Sequence, residues 1–338
     1  MLKKRVVIGL SGGIDSAVSA LLLKEQNYTL IGMTGVFTEV GSEKFQIERV
    51  RSVCEKLGIE LIEREMRETF KETIVDYFVG EYKMGRTPSP CIVCNRRIKF
   101  PLLENARKEF DCDFIATGHY AKTSDEEYPL MRGKGSNDQA YFLSRVDKEI
   151  LKRTKLPLEK MDKTAVMLKS REFFRKMEWH SSADICFVKK DYAELVKSRY
   201  PEAGEPGPIE DVYGKRIGVH KGIAYYTVGQ RRGLTTLLSV PLYVKGIIPE
   251  ENLLVVGTRE ECLSKSLLAS DPIWLVPPEN NKVYSVQTYS TQTPFKARIK
   301  LGGDRFRLDF LKPEFQITPG QLAVIYEGRA VIGSGWIE

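Results

Sequence analysis

Residues 9–18 read GLSGGIDSAV. They follow the apolar run Arg5–Leu10 (RVVIGL) and lead into residues 16–26, where Val18, Leu21 and Leu22 recur at helical spacing. A short apolar run without polar alternation predicts a parallel strand covered on both faces, and the stretch after it predicts a helix packed against that strand. The turn between them has the composition of an anion site. Gly12 and Gly13 let the backbone turn tightly and bring its N–H groups close to a ligand, Ser11 and Ser16 add hydroxyls, and a helix N-terminus favours negative charge. Asp15 or Ser16 also suits the cap of that helix.

The same alternation continues outward. TLIGMTGV reads as a second strand, residues 44–57 as a helix, ELIERE as a strand, 68–84 as a helix and DFIATG as another strand. Strand–helix alternation predicts a doubly wound parallel α/β sheet, whose ligands bind beyond the carboxyl ends of the strands. Past residue 200 the character changes. PEAGEPGPIE is rich in Pro and Gly and breaks regular structure, and GIAYYTV, PLYVKGII, NLLVVG, KVYSVQTYS, FKARIKL, RFRLDFL, QLAVIYE and AVIGSGWIE are short β-type runs between turns. Two small β-rich domains, the last a β-barrel, are expected, with boundaries at 1–196, 197–264 and 265–338.

The chain has 338 residues, 42% apolar and 29% charged, with a net charge of +7. That length suits two or three domains, and the small basic excess permits a polyanionic partner without requiring one. Arg96, Arg97 and Lys99, then Lys152, Arg153 and Lys155, then Arg231 and Arg232 between glycines are the basic clusters. No stretch has the length and apolarity of a membrane span, which points to the cytoplasm. In that compartment the six cysteines, at 54, 91, 94, 112, 186 and 262, stay reduced rather than forming a disulfide framework.

SGGxDS lacks the lysine of the Walker loop and resembles instead the PP-loop of the ATP pyrophosphatases (adenine nucleotide alpha hydrolase-like fold). The resemblance implies that Gly9, Leu10, Ser11, Gly12, Gly13, Ile14, Asp15 and Ser16 hold ATP with Mg²⁺ while the α–β phosphate bond breaks. Further blocks narrow the family: GRTPSPCIVCNRRIKF (85–100), FIATGHYAK (114–122), NDQAYFLSRV (137–146), DICFV (184–188), GVHKGIAYYTVGQRRGL (218–234), NLLVVG (252–257) and ITPGQLAVIYEG (317–328). In that order they resemble the tRNA-uridine 2-sulfurtransferases, also called MnmA, from residue 5 to the C-terminus. These enzymes adenylate the C2 oxygen of the wobble uridine and replace it with sulfur.

Carried over position by position, the resemblance implies backbone contacts to ATP near Gly35 and Gly118, a persulfide on Cys186, and Cys94 as its partner nucleophile. A Cys94–Cys186 disulfide would remain after sulfur release. Ser89, Pro90 and Cys91 fall where the family touches the target base. His119, Asn137, Asp138, Gln139, Thr288, Tyr289 and Gln321 fall at positions that contact tRNA. A cysteine desulfurase or sulfur-relay protein is the implied sulfur donor, and the family acts largely as monomers. Cys54, Cys112 and Cys262 fall in no such block and read as structural.

The chain departs from the family pattern in the short MTGVFTEVGSEKF segment, in SSAD before Cys186, at Thr288, where an Arg is common, and at Cys91, where many members have Asp. With Cys91 present, a [4Fe–4S] cluster on Cys91, Cys94 and Cys186 is a second route to sulfur, also proposed for this family. A zinc site would need His119 or His180 as fourth ligand. Two other functions compete: a PP-loop synthetase adenylating a small molecule, and a non-catalytic RNA-binding protein on the same fold.

Overall fold

A computed structural model of the chain describes residues 3–38, 41–124, 126–135, 137–175, 177–179, 185–188, 191–234, 236 and 240–338, with 41–44 described by their backbone alone. The chain divides into two compact units. One comprises Met1–Thr73, Cys91–Phe187 and Gly328–Ile332; the other comprises Ile74–Pro90, Val188–Glu327 and Gly333–Glu338. Among the described residues no helix is long and apolar enough to cross a membrane.

The first unit is built on five parallel strands. The chain runs through β1 (Arg5–Gly9), α1 (Ile14–Glu25), β2 (Thr29–Val36), α2 (Gly41–Leu57), β3 (Glu60–Glu65) and, later, β4 (Phe114–Ala116) and a two-residue strand at Thr154–Lys155. Their order is β3-β2-β1-β4 followed by Thr154–Lys155, every neighbour parallel. Val6, Val7 and Ile8 are fully buried, as a central strand between two helical layers requires. Val6 and Ile8 join a core with Ala17, Ala20 and Leu21 of α1 and Val50, Val53 and Cys54 of α2. On the opposite face Gly9 lies against Leu103, in the helix Phe100–Glu109. The small residues Ser16, Ala17, Ser19 and Ala20 are all buried, so α1 packs closely on several sides at once.

The order of connection reverses between β1 and β4: β2 and β3 lie on one side of β1, β4 and Thr154–Lys155 on the other. This is the switch point of a doubly wound sheet, where a crevice opens beyond the strand ends. The SGGIDS turn follows β1 there, and Thr117-Gly118-His119 follows β4.

The second unit is mostly β. A four-stranded sheet is ordered Tyr243–Ile248, Leu253–Gly257, Gly207–Asp211, Arg216–His220. Six further strands, Leu263–Trp274, Arg305–Phe315, Phe295–Gly302, Val283–Gln287, Leu322–Glu327 and Ala330–Ile337, form a barrel closed by pairing of the last with the first. Closure leaves the barrel no open edge. Along Phe295–Gly302, Ala297 and Ile299 point inward and Lys296, Arg298 and Lys300 outward, the period of two expected of a half-buried strand.

Two segments behave differently from their sequence reading. GIAYYTV is no strand: Gly222, at φ 125°, opens a 3₁₀ turn over Ile223–Tyr225 and Gly229, at φ 88°, ends the segment. Its apolar side chains are buried in a compact turn, with the Tyr226 hydroxyl donating to the Gly233 carbonyl. PEAGEPGPIE, conversely, ends in an internal strand, Gly207–Asp211. A Cβ on Gly207 would lie 2.1 Å from the Asn252 carbonyl oxygen, so the glycine permits close strand approach.

Candidate active site

The loop after β1 is tightly internally bonded. The Ser16 hydroxyl donates to the Gly13 carbonyl at 2.9 Å and accepts from the Ser11 N–H at 3.2 Å. Gly12 has φ +72°, and a Cβ there would come 2.6 Å from the Gln46 carbonyl oxygen of α2. Both observations demand glycine. Arg49, one turn further along α2, donates from Nε to the Gly12 carbonyl at 3.0 Å. From the other side Gly118 packs so closely that a Cβ would stand 2.8 Å from the Ser16 nitrogen. Gly13 caps α1 without a side-chain hydrogen bond, and a helix N-terminus without such a cap is suited to holding an anion.

Asp15 is held from two directions. The Tyr120 hydroxyl donates to its Oδ1 at 2.6 Å and the Lys163 ammonium to its Oδ2 at 2.5 Å. Burial, and then the bond to Asp15, push the Tyr120 pKa upward, so it stays a phenol and a donor. At Gly35 a Cβ would meet the Phe37 ring at 2.5 Å. That ring stands 5.3 Å from Phe70, and Phe70 stands 5.7 Å from Phe187, next to Cys186.

The cysteine pair opens a long helical stretch: α-helical Pro90–Cys94, a π-helical turn Asn95–Lys99, then α-helix Phe100–Glu109. Pro101, lacking an N–H, cannot donate to the preceding turn, and the ladder resets there. In a π turn the backbone bond runs from residue i to i+5, the spacing of Cys94 and Lys99. Cys94 is 5% exposed, whereas Cys91 and Cys186 are exposed. Burial pushes the Cys94 thiol up to about 11; Lys99 opposes that, and Cys186 and Cys91 add to it. Burial pulls the Lys99 pKa down, but the sulfurs of Cys94, Cys91 and Cys186 outweigh it and the net shift is upward. His119 is pushed down to about 3, by burial and then by the charge of Lys99, and its Nδ1 is 2.8 Å from the Thr117 hydroxyl. The imidazole is therefore neutral at ordinary pH. Asn95, 1% exposed, donates to the Phe142 carbonyl at 3.1 Å.

Cys94 and Lys99 thus each feel the charge of the other and of the Cys91 and Cys186 sulfurs. Among the described residues, however, no three His, Cys, Asp or Glu side chains are gathered so as to hold a metal ion. Among these residues the thiols as placed do not form the ligand set of a [4Fe–4S] cluster. His180, the other zinc candidate, and residues 181–184 lie outside the described residues.

Comparison with known proteins matches three family models end to end: a tRNA methyl transferase HUP domain over 4–190, a tRNA methyl transferase PRC-barrel domain over 193–258 and an aminomethyltransferase beta-barrel domain over 264–337. Full-length relatives agree. The tRNA-specific 2-thiouridylase MnmA of Symbiobacterium thermophilum is 37% identical over 99% of this chain and 92% of its own. The chain belongs to the tRNA-specific 2-thiouridylase family. The Clostridioides difficile member is 38% identical, covering 100% of this chain and 99% of its own. Among solved structures, the U34-tRNA thiolase NcsA from Methanococcus maripaludis, with its [4Fe–4S] cluster, matches with a TM-score of 0.39 and 24% identity over 60% of this chain and 69% of its own. A likeness of that degree says nothing about chemistry.

Most of the other positions that the resemblance leads one to expect at the base or tRNA make contacts within the protein. Ser89 is buried and donates its N–H to the Tyr77 hydroxyl at 3.2 Å, and Pro90 starts the thiol helix. Just upstream, the Gln321 amide donates to the carbonyls of Thr87 and Pro88, both at 3.1 Å, and the Thr87 N–H donates to the Pro319 carbonyl at 2.9 Å. Gln321 therefore holds the backbone at Thr87 and Pro88. Asp138 accepts from Arg132 Nε and from the N–H groups of Gly133 and Ala140. Gln139 bonds Tyr120 twice, accepting from its N–H and donating its own N–H to its carbonyl. Thr288, 1% exposed, directs its hydroxyl to Gln292 at 3.0 Å; Asn137 and Tyr289 are partly buried.

Arg49, Tyr120 and Lys163 went unread as site residues in the sequence. Their partners Gly12 and Asp15 are 37, 105 and 148 residues away, beyond any local pattern. Lys99 stands out in sequence only as one member of a basic cluster.

Proposed function

We propose that the chain catalyses ATP-dependent 2-thiolation of the wobble uridine of tRNA. MgATP lies with its phosphates over the Gly9–Ser16 loop, and the metal ion arrives with the nucleotide as part of the substrate. The C2 oxygen of the uridine attacks the α-phosphorus, the bond to the β-phosphate oxygen breaks, and pyrophosphate leaves into the cradle of α1 N–H groups. C2 now carries an adenylate as leaving group.

Sulfur follows from Cys186. A sulfur donor, a cysteine desulfurase or sulfur-relay protein, charges Cys186 with a persulfide. Cys94, through the minor thiolate form that the Lys99 charge favours against burial, attacks the Cys186 Sγ; the S–S bond breaks, hydrosulfide leaves, and a Cys94–Cys186 disulfide forms. Hydrosulfide adds to C2 and AMP departs, giving 2-thiouridine, and an external thiol reductant resets the disulfide. Cys91 stands beside the base as a proton donor or a spectator. Residues 1–196 supply this chemistry, and 197–264 and 265–338 bind the anticodon arm, in a monomer acting in the cytoplasm.

The observation that supports this reading most directly is the presence in one compact unit of the SGGIDS loop and the thiols of Cys91, Cys94 and Cys186, with Cys94 in electrostatic reach of the other two. ATP–pyrophosphate exchange tests the first half. Exchange stimulated by unmodified tRNA is expected; exchange stimulated by a small metabolite without tRNA would transfer the chain to the synthetases.

A further inference from the structure

The SGGIDS loop contains no cation, yet it is read as the seat of a triphosphate, and its own Asp15 adds a negative charge to the first turn of α1. Opposing charge must come from elsewhere in the chain. Arg49 reaches the loop, but its Nε is fixed on the Gly12 carbonyl. Lys163 arrives from the first residue of the helix Lys163–Phe174. Its Nζ is 2.5 Å from Asp15 Oδ2 and 4.8 Å from the centre of the Tyr120 ring.

Nothing in the stability of its own helix favours a lysine there. A cation in the first turn opposes the helix dipole, whose N-terminus prefers acids. Asp162 already caps that helix, accepting from the Ala165 N–H at 2.7 Å. The side chain is 53% exposed, and of the three donors on an ammonium Asp15 receives one. A cation on a flexible four-carbon stem at the rim of an anion cradle can change partners without a backbone movement.

We propose that Lys163 is a phosphate-binding residue of the nucleotide site: it pairs with Asp15 in the nucleotide-free protein and contacts the β- and γ-phosphates of bound ATP. Tyr120 keeps Asp15 in place when the lysine leaves. This proposal rests on the reading of the loop as an ATP site and adds to it the cation that the motif lacks.

Calorimetric titration of the full-length protein with MgATP and, separately, with AMP tests it. Lys163→Met is expected to weaken ATP about ten- to a hundredfold, the effect of one charge-assisted contact, and AMP by less than about twofold. Lys163→Arg should retain most of the ATP affinity. To separate a phosphate contact from simple neutralisation of Asp15, Asp15→Asn is compared with Asp15→Asn/Lys163→Met. The contact predicts that the double variant still binds ATP at least about tenfold more weakly than Asp15→Asn. Equal ATP affinities in that pair, or an equal loss of ATP and AMP in Lys163→Met, would overturn it. A wild-type protein that binds neither nucleotide would instead remove the ATP-site reading beneath it.

Discussion

The Phe187 ring meets the Phe70 ring edge-on, with centroids 5.7 Å apart. This contact ties the residue after Cys186 to the helical segment that follows β3, and Phe70 in turn packs on Phe37 at the end of β2. Cys186 is thereby tied to the same sheet that carries the SGGIDS loop. Phe187→Ala should lower thiolation by about ten- to a hundredfold through misplacement of Cys186, with tRNA-stimulated pyrophosphate exchange unchanged. Phe187→Leu should recover part of the loss. Equal decline of both half-reactions would mean that Phe187 supports the unit as a whole.

Gly118 and Gly80 make a paired test of why a glycine is present. A Cβ at Gly118 would press on the Ser16 nitrogen at 2.8 Å, and backbone cannot swing away, so Gly118→Ala should displace the loop and abolish measurable ATP binding. Gly80 lies inside the helix Asp76–Lys83 with nothing near its missing side chain. Gly80→Ala should stabilise the protein by about 0.5–1 kcal/mol and leave ATP binding intact. Titration and thermal melts of the two variants suffice.

Thiol reactivity should separate the cysteines. With a pKa of about 11, Cys94 has roughly a thousandth of its thiol ionised at pH 8, and it is buried. Brief alkylation at pH 8 in the tRNA-free protein, read by peptide mass, should modify the exposed Cys91 and Cys186 and spare Cys94. Cys94 labelling should rise about tenfold per pH unit toward pH 11. Since Lys99 lowers the Cys94 pKa, Lys99→Met should shift that profile to still higher pH. Rapid labelling of Cys94 at pH 7 would contradict this electrostatic picture.

His119 gives the protein an acid sensitivity of definite sign. Its folded pKa, about 3, is below the ordinary 6.5, so between those values the unfolded chain binds the extra proton. The stability is fully present above pH 6.5 and falls with pH down to about 3, by up to about 1.4 kcal/mol per pH unit. His119→Gln should flatten this part of the pH–stability curve. Denaturant midpoints of both proteins at pH 7, 6, 5 and 4 supply the comparison, and parallel curves would contradict it.

Much of this architecture is legible in sequence where one residue's reason is local. RVVIGL reads as a covered strand because Val6, Val7 and Ile8 are buried on both faces, and SGGIDS reads as an anion turn because its glycines and hydroxyls act within six residues. Legibility fails where the reason is distant. The strand Leu263–Trp274 carries serines, a proline and two register shifts, so no clean alternation survives. Gly207–Asp211 hides behind prolines, because its glycine answers to Asn252, 45 residues on. The same holds at the site. Gly12 declares itself, but Lys163 on Asp15 and Gln321 on Thr87 are joined only by the fold.

The proposed chemistry passes sulfur by way of Cys94 and Cys186 to an ATP-activated wobble uridine. Its most direct test is the mass of that nucleoside after reaction of tRNA with the protein, ATP and a sulfur donor. Wild type should add the mass of sulfur-for-oxygen exchange only when ATP is present, and Cys94→Ala and Cys186→Ala should leave the uridine unchanged. Undiminished 2-thiouridine from both variants would contradict the account.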